Sequence, residues 1–417
     1  MSPILKAITS MKLTVTLLAF SMALVFFGTL DQVHYGIWHT QEKYFESFWV
    51  FWQYPEQWVG GDWLRFLHVP LPGGYLVGGL LLVNLVASHL SRFRLSWKKG
   101  GIFLIHAGLI LLLVSELLTD VLAHEGQMRI EEGSRSNYYE DFRENELTFI
   151  DKSDPESDRV VAIPASRLAA AARRGEAITH EALPFAVDVL TYFPNSTIAR
   201  RGNAPTTPPT PVDRGIGQPA GMPRDIVVLP RAVTYAENEV NTVSAFIRLT
   251  RPEGDLGTWL VSNIFDQRFE TQRVQAGGRA WEIDLRFQRT YLPFHLALND
   301  FRFDRYPGTE IPKNFSSEVV IINPEEHRDR TALIYMNHPL RYAGLTFYQA
   351  SFDQATEAAT VLQVVRNPGW LLPYVSVAMM GLGMCWQFGM HFFKFLGKRS
   401  NRSAANRVPA EAAAQAS

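Results

Sequence analysis

The 417-residue chain has a single cysteine, Cys385, and it lies inside an apolar stretch. A sequence without a second cysteine has no disulfide framework, no CxxC redox centre and no cysteine-based zinc site. Ligand spacing is missing as well, because none of the 11 histidines falls in an HxxxH or HExxH pattern. Hydrolase, kinase and dinucleotide motifs are absent, and so is any internal repeat. The net charge of -1 provides no overall field for nucleic acid, so nucleic acid is excluded as a partner. Charge is scarce above all in four apolar runs, at 13–30, 71–90, 101–118 and 369–396, whose only lysine or arginine is Lys394.

Crossing about 30 Å of hydrocarbon takes roughly 20 apolar residues at the helical rise, and all four runs meet or nearly meet that length. Three fall in the first 122 residues and the fourth spans 367–397, so the interval 123–366 is one large water-soluble insertion. Basic residues then set the orientation, since short cytoplasmic loops retain them. Lys6 and Lys12 precede the first run, Arg92, Arg94, Lys98 and Lys99 separate the second from the third, and Lys394, Lys398, Arg399, Arg402 and Arg407 close the last. The expectation is a multi-pass protein of a bacterial cytoplasmic membrane, in contact with membrane lipid, with both termini cytoplasmic and residues 31–70 and 123–366 outside. The first run reads as an uncleaved anchor, because no A-x-A site follows before Asp31.

The insertion reads as β-rich. Trp281, Ile283, Leu285 and Phe287 alternate with Glu282, Asp284, Arg286 and Gln288, which is the pattern of a half-buried strand. Further strands are expected near 185–189, 243–249, 317–322 and 332–336, giving a sandwich or open barrel. One helix is expected over 166–174, with Ser166 as its N-cap and Gly175 ending it. The Pro- and Gly-rich stretch 201–224 is expected to be a long loop, and the tail 398–417 to be disordered. The predicted fold class is therefore an α-helical membrane protein with four transmembrane helices and a large β-rich extracytoplasmic domain between helices 3 and 4.

Ionisable residues inside spans are costly and face a protein interior, a cavity or a cofactor, which singles out His106 in the third run. It stands about 10 Å beyond Lys99 along a helix. Such an imidazole either hydrogen-bonds a neighbouring helix or ligates haem iron. His89, at the end of the second run, is a conceivable second ligand, although its depth sets it nearer the interface. Glu116 lies near the outer face and reads as solvated or capping. The external stretch 38–63 holds half of the 10 tryptophans, and reads either as an interfacial aromatic belt or as a surface for a planar group. His338 reads as a turn histidine next to Pro339, placed for contact at the membrane surface. Gly74 with Gly78, and Gly381, Cys385 and Gly389, form stripes of small residues that suit close helix packing, either within the chain or against a partner.

Four blocks, KLTVTLLAFSMALVFFGTLDQ, GGIFLIHAGLILLL, RYPGTEIPKNFSSEVVI and NHPLRYAGLTFYQASFD, in that order, resemble the ResB family of cytochrome c biogenesis proteins. The resemblance implies a membrane subunit of the system II machinery, which carries haem across the membrane and presents it for attachment to apocytochrome c. It implies a CcsA-type multi-span partner, apocytochrome c as acceptor, and haem b held transiently between the two chains, with His106 as one axial ligand. The subunit is then part of a haem-lyase complex without being catalytic alone. Two other classes stay open: a b-type cytochrome using His89 and His106 within one chain, and a non-haem assembly scaffold.

Overall fold

The computed structural model describes residues 3–54, 63, 66, 68–92, 96–155, 157–200, 202, 211–214, 226–234, 240–265, 271–309, 312–326, 328–353 and 358–414. They form two compact units, one from residues 1–123 with 367–417 and the other from 124–366.

The first unit is helical. A short helix α1 (Pro3–Ile8) leads into α2 (Met11–Thr40), where the Ser10 hydroxyl accepts the Lys12 N–H as N-cap. Gly36, at φ 76° and ψ 168°, interrupts the α2 ladder, and a π-helical turn, Gln41–Phe45, follows. Two strands not foreseen in the sequence, β1 (Trp49–Gln53) and β2 (His68–Pro72), pair antiparallel in the external stretch. One face of that hairpin places Val50 and Trp52 in a core with Leu17, Leu24, Tyr44, Leu71 and Val77, while Trp49 and Phe51 on the other face are exposed. Helices α3 (Gly74–Arg92) and α4 (Gly100–Leu122) follow, and the unit closes with α6 (Leu372–Ala414).

Among the described residues, three helical segments are long and apolar enough to cross a membrane: Met11–Val33, Gly74–Ser91 and Trp97–Leu122. The fourth expected span is helical from Leu372 onward but is not among them. The α6 backbone also continues to Ala414, where a disordered tail from 398 was expected.

A further stripe of small residues, beyond those the sequence singled out, packs α4 against α6, and of the expected glycines Gly74 lies close against the Phe45 backbone. Gly101, Gly108 and Ser115, seven residues apart, are buried on one face of α4. A Cβ at Gly101 would lie 2.6 Å from the Gly383 carbonyl oxygen, and one at Gly108 would lie 2.8 Å from the Ser376 carbonyl oxygen, so α4 and α6 meet backbone to backbone. Gly381 and Gly389, by contrast, have open space where a Cβ would be, and Cys385 is exposed. The second polar device is Asn84, buried in α3, which accepts the Thr14 hydroxyl at 2.7 Å and donates to the Ile8 carbonyl at 2.5 Å.

The second unit is built around two long strands, β4 (Arg135–Asp151) and β12 (Arg279–Arg305), paired antiparallel with register shifts that let them bend. They join β3 (His124–Glu131), β5 (Arg159–Pro164), β11 (Gln272–Ala276), β13 (Pro312–Ile322), β14 (Arg330–Tyr335), β15 (Leu340–Tyr342), β16 (Leu345–Phe352) and β17 (Ala359–Arg366) in one sheet. A second sheet of β6 (Ala186–Phe193), β9 (Ser244–Arg251) and β10 (Gly254–Ser262) packs with helix α5 (Ala165–Arg174) over the C-terminal half of β4 and the N-terminal half of β12, in a core holding Leu147, Phe149, Val187, Ile247, Trp281 and Leu285. The N-terminal half of β4, through Tyr139, and the C-terminal half of β12 enter another core with Met128, Phe294, Leu296, Val319, Phe347 and Leu362. Each long strand therefore belongs to both cores, which ties the halves together.

Three local expectations are refined. Helix α5 starts at Ala165 after Pro164, without a side-chain cap from Ser166, whereas Gly175 ends it in the left-handed conformation at φ 66°. Most of the 201–224 insert lies outside the described residues, but its flanks pair as β7 (Ser196–Arg200) and β8 (Ile226–Pro230), so it is the connection of a hairpin. The polar face of β12 is buried in part: Glu282 and Arg286 are 8% and 4% exposed, whereas Gln288 is exposed. Arg286 pairs with the buried Glu146 at 3.1 Å and donates to the Tyr291 hydroxyl at 3.2 Å. Arg289 lies over the Tyr138 ring at 4.2 Å and pairs with Glu140.

Candidate functional site

Helices α3 and α4 run antiparallel, and spacings of three, four and seven residues place one set of side chains on the facing seam of each. On α3 this set is Tyr75, Gly78, Leu82 and His89; on α4 it is Asp120, Leu117, Leu113 and His106. The two histidines meet at one end, with ring centroids 5.6 Å apart and planes at 29°, and Phe103 stacks beside His89 at 5.2 Å. The depth that the sequence seemed to put between them is removed by the antiparallel pairing.

The imidazole of His106 has a fixed orientation. Its Nδ1–H donates to the Ile102 carbonyl at 2.8 Å, one turn earlier in the helix, so Nε2 carries the lone pair. A metal-ligating histidine characteristically donates its second ring nitrogen in this way, and that bond sets both tautomer and ring direction. His106 Nε2 thus fits an axial haem ligand. The stacked rings of His89 and His106 present faces rather than lone pairs to each other, so the pair does not straddle an iron in this arrangement. No group of three or more His, Cys, Asp or Glu side chains with metal-binding geometry occurs among the described residues.

At the opposite end of the seam, Tyr75 donates to Asp120 at 2.7 Å and so closes the helix pair. Below that bond the seam opens into a cavity of about 620 Å³, lined on α3 by Gly78, Gly79 and Leu82 and on α4 by Leu113, Glu116 and Leu117. Glu116, which read as a solvated residue in the sequence, is part of this lining. Glu46, from the turn after the π-helix, also lines it; burial and then Asp120 and Glu42 push its carboxyl above the ordinary range.

Next to this region Asp31, 2% exposed, accepts from Lys43 Nζ at 2.7 Å and from the Tyr44 hydroxyl at 2.8 Å. Burial and the Asp31 bond raise the Tyr44 phenol well above its usual range, so it stays a neutral donor. This cluster, which sequence reasoning missed, pins the π-helical turn to α2; a charged residue just past a long apolar run was the available signal. In the β-rich unit His338 follows Asn337, which has φ 63°, and stacks flat on Tyr335 at 4.6 Å and 3°. That supports the reading as a turn histidine.

Residues 257–359, from β10 to the start of β17, match the ResB-like family. A protein named NrfI from Wolinella succinogenes is 35% identical over 107 residues, which is 25% of this chain and 12% of that protein. A cytochrome c biogenesis protein CcsB from Prochlorococcus marinus is 32% identical over 110 residues, 26% of this chain and 24% of the relative. The cytochrome c biogenesis protein Ccs1 of Pyropia yezoensis is 36% identical over 101 residues, 23% of this chain and 22% of the relative. The matched stretches thus span less than a quarter of these relatives' own lengths. The resemblance carried by the sequence blocks holds on these terms: residues 257–359 are a ResB-like region, and the chain's relatives include proteins named for cytochrome c biogenesis.

Proposed function

We propose that this chain is a membrane subunit of system II cytochrome c synthesis that helps carry haem across a bacterial cytoplasmic membrane and present it to apocytochrome c. The observation that carries the reading is the His106 imidazole, set on an apolar helix with Nδ1 committed to a backbone carbonyl and Nε2 left as an acceptor, in a chain with a ResB-like region. Haem, when bound, supplies the reactive macrocycle for thioether attachment; the protein's part is to hold and orient it. His106 would hold haem through Nε2, and a histidine of a CcsA-type partner would hold it from the other side; the stacking of His89 on His106 fits a second ligand from outside this chain. Helix α6 is the fourth span, which returns the chain to the cytoplasm after the β-rich unit. That unit docks apocytochrome or the partner's outer loops; the segment 337–352, expected to link it to the last span, is instead part of its sheet as β15 and β16, with β17 after it.

The visible spectrum of the protein, purified with and without its CcsA-type partner, tests this proposal. The expected result is a six-coordinate haem spectrum in the complex that falls at least tenfold in His106→Ala and is restored in part by exogenous imidazole. Haem bound equally by the lone subunit, and lost in His89→Ala, would favour a b-type cytochrome. That second reading has one observation on its side, the contact of the two rings. A complex whose spectrum is indifferent to His106 would leave only a scaffold.

A further inference from the structure

The cavity in the outer half of the α3–α4 seam has no part in holding haem at His106, and its walls change character along its length. At the end of the seam stand Glu46, Asp120 and the Tyr75 hydroxyl, with Glu116 one turn along α4. Further along come Gly78 and Gly79, then Leu82 facing Leu113 and Leu117. From Tyr75 to Leu82 the helix rises by about 10 Å, so a carboxylate-rich mouth gives way to pure hydrocarbon within two turns. The cavity exists because α3 carries two adjacent glycines there, and a Cβ at either would meet nothing within 4 Å. About 620 Å³ is the size of a small-molecule site.

We propose that this cavity binds a lipid whose headgroup is a primary ammonium, with the ammonium among Glu46, Glu116 and Asp120 and an acyl chain lying on Gly78, Gly79, Leu82 and Leu113. Charge and hydrogen-bond capacity select that ligand. An ammonium offers three donors, and carboxylates beside an apolar wall bind it far more strongly than carboxylates in water. A phosphoglycerol headgroup brings only negative charge to an acidic mouth. A choline headgroup brings positive charge without N–H donors. Haem, with two propionates at its polar edge, is repelled by the same mouth, which separates this site from the histidine end of the seam.

The test uses the full chain in nanodiscs containing phosphatidylethanolamine, phosphatidylcholine and phosphatidylglycerol of identical acyl composition, followed by native mass spectrometry of co-released lipid. The wild type is expected to retain phosphatidylethanolamine about tenfold over phosphatidylglycerol, and several-fold over phosphatidylcholine. The triple variant Glu46→Gln, Glu116→Gln, Asp120→Asn should lose that preference while still retaining lipid; the asparagine keeps an acceptor for Tyr75. The double variant Gly78→Leu, Gly79→Leu should retain none, since its side chains fill the groove. Leu113→Trp fills the groove from α4 and serves if the double variant does not fold. Equal retention of the three lipids by the wild type overturns the proposal, as does a preference that survives the charge variant or both groove-filling variants. Retention that disappears only when a partner span is added points to a helix as the true occupant, and overturns the proposal as well.

Discussion

The helical unit and the β-rich unit bury their interfaces with opposite kinds of residue. In the helical unit, α4 and α6 approach through the smallest side chains available, Gly101, Gly108 and Gly383, and polar residues such as Asn84 fasten α3 to α2. In the β-rich unit the contacts come from large side chains, Phe149 and Trp281 in one core and Phe294 and Phe347 in the other, with an ion pair sealed on the reverse face of β4 and β12. The difference follows from the solvent. In water, burial of large apolar area drives packing. In hydrocarbon that drive is absent, and close van der Waals approach with a few hydrogen bonds takes its place. The same contrast recurs within α4, whose glycine flank is closed and whose histidine flank is open at its outer end.

The largest effect should come from Glu146→Ala, which leaves the 4% exposed Arg286 without a counter-charge. The expected loss is about 3–5 kcal/mol. Chemical unfolding should show it in the β-rich unit with the helical unit unchanged; a loss below about 1 kcal/mol would mean that the pair behaves as a solvated one. Next is Gly108→Leu, where the new Cβ alone would come within 2.7 Å of Met380 Cγ. It should destabilise the helical unit by about 1–3 kcal/mol or more, measured as detergent-dependent loss of helical signal. Its counterpart Gly381→Leu, which has open space around it, should cost under about 0.5 kcal/mol. Equal costs for the two would break the assignment of the packing stripe.

Acid should act on the β-rich unit first, though with the smallest effect. His295 is held below its usual range by burial and then by Arg135, so the fold favours the neutral ring. Its contribution is present above the unfolded value of about 6.5 and is lost as pH falls through that region to the folded value. For Glu282 burial pushes upward, but the bonds to Lys152 and Arg273 outweigh it and hold the carboxyl below its ordinary value. Its contribution is present above about 4.3 and is lost as pH falls below that value. The melting temperature of the β-rich unit should therefore decline in two steps on acidification, and His295→Gln should remove the upper one. A single step at carboxylate pH in the wild type would contradict this.

Local period made much of the architecture readable. The 3.6-residue helices, the alternation at Trp281 to Leu285 and the glycine after Arg174 each follow from spacing alone, and the structure has an element at every one of them. The external hairpin β1–β2 was not legible, because WVFWQ reads equally as aromatic belt and as strand. The seven-residue stripe at 101, 108 and 115 was not singled out because a run of small residues four apart, at 381, 385 and 389, is as prominent in the sequence. Only the partner helix distinguishes them.

The sequence by itself determined which segments are apolar enough to leave water, which are amphipathic strands, and which histidine sits in the middle of an apolar helix. Those properties depend on composition and near neighbours. Tertiary structure alone decided that His89 meets His106, that β12 hides Glu282 and Arg286, and that the seam between α3 and α4 closes at Tyr75 and opens at Gly78. Each of these depends on the register between segments distant in the chain, and register is fixed by how whole faces fit, which no local period encodes.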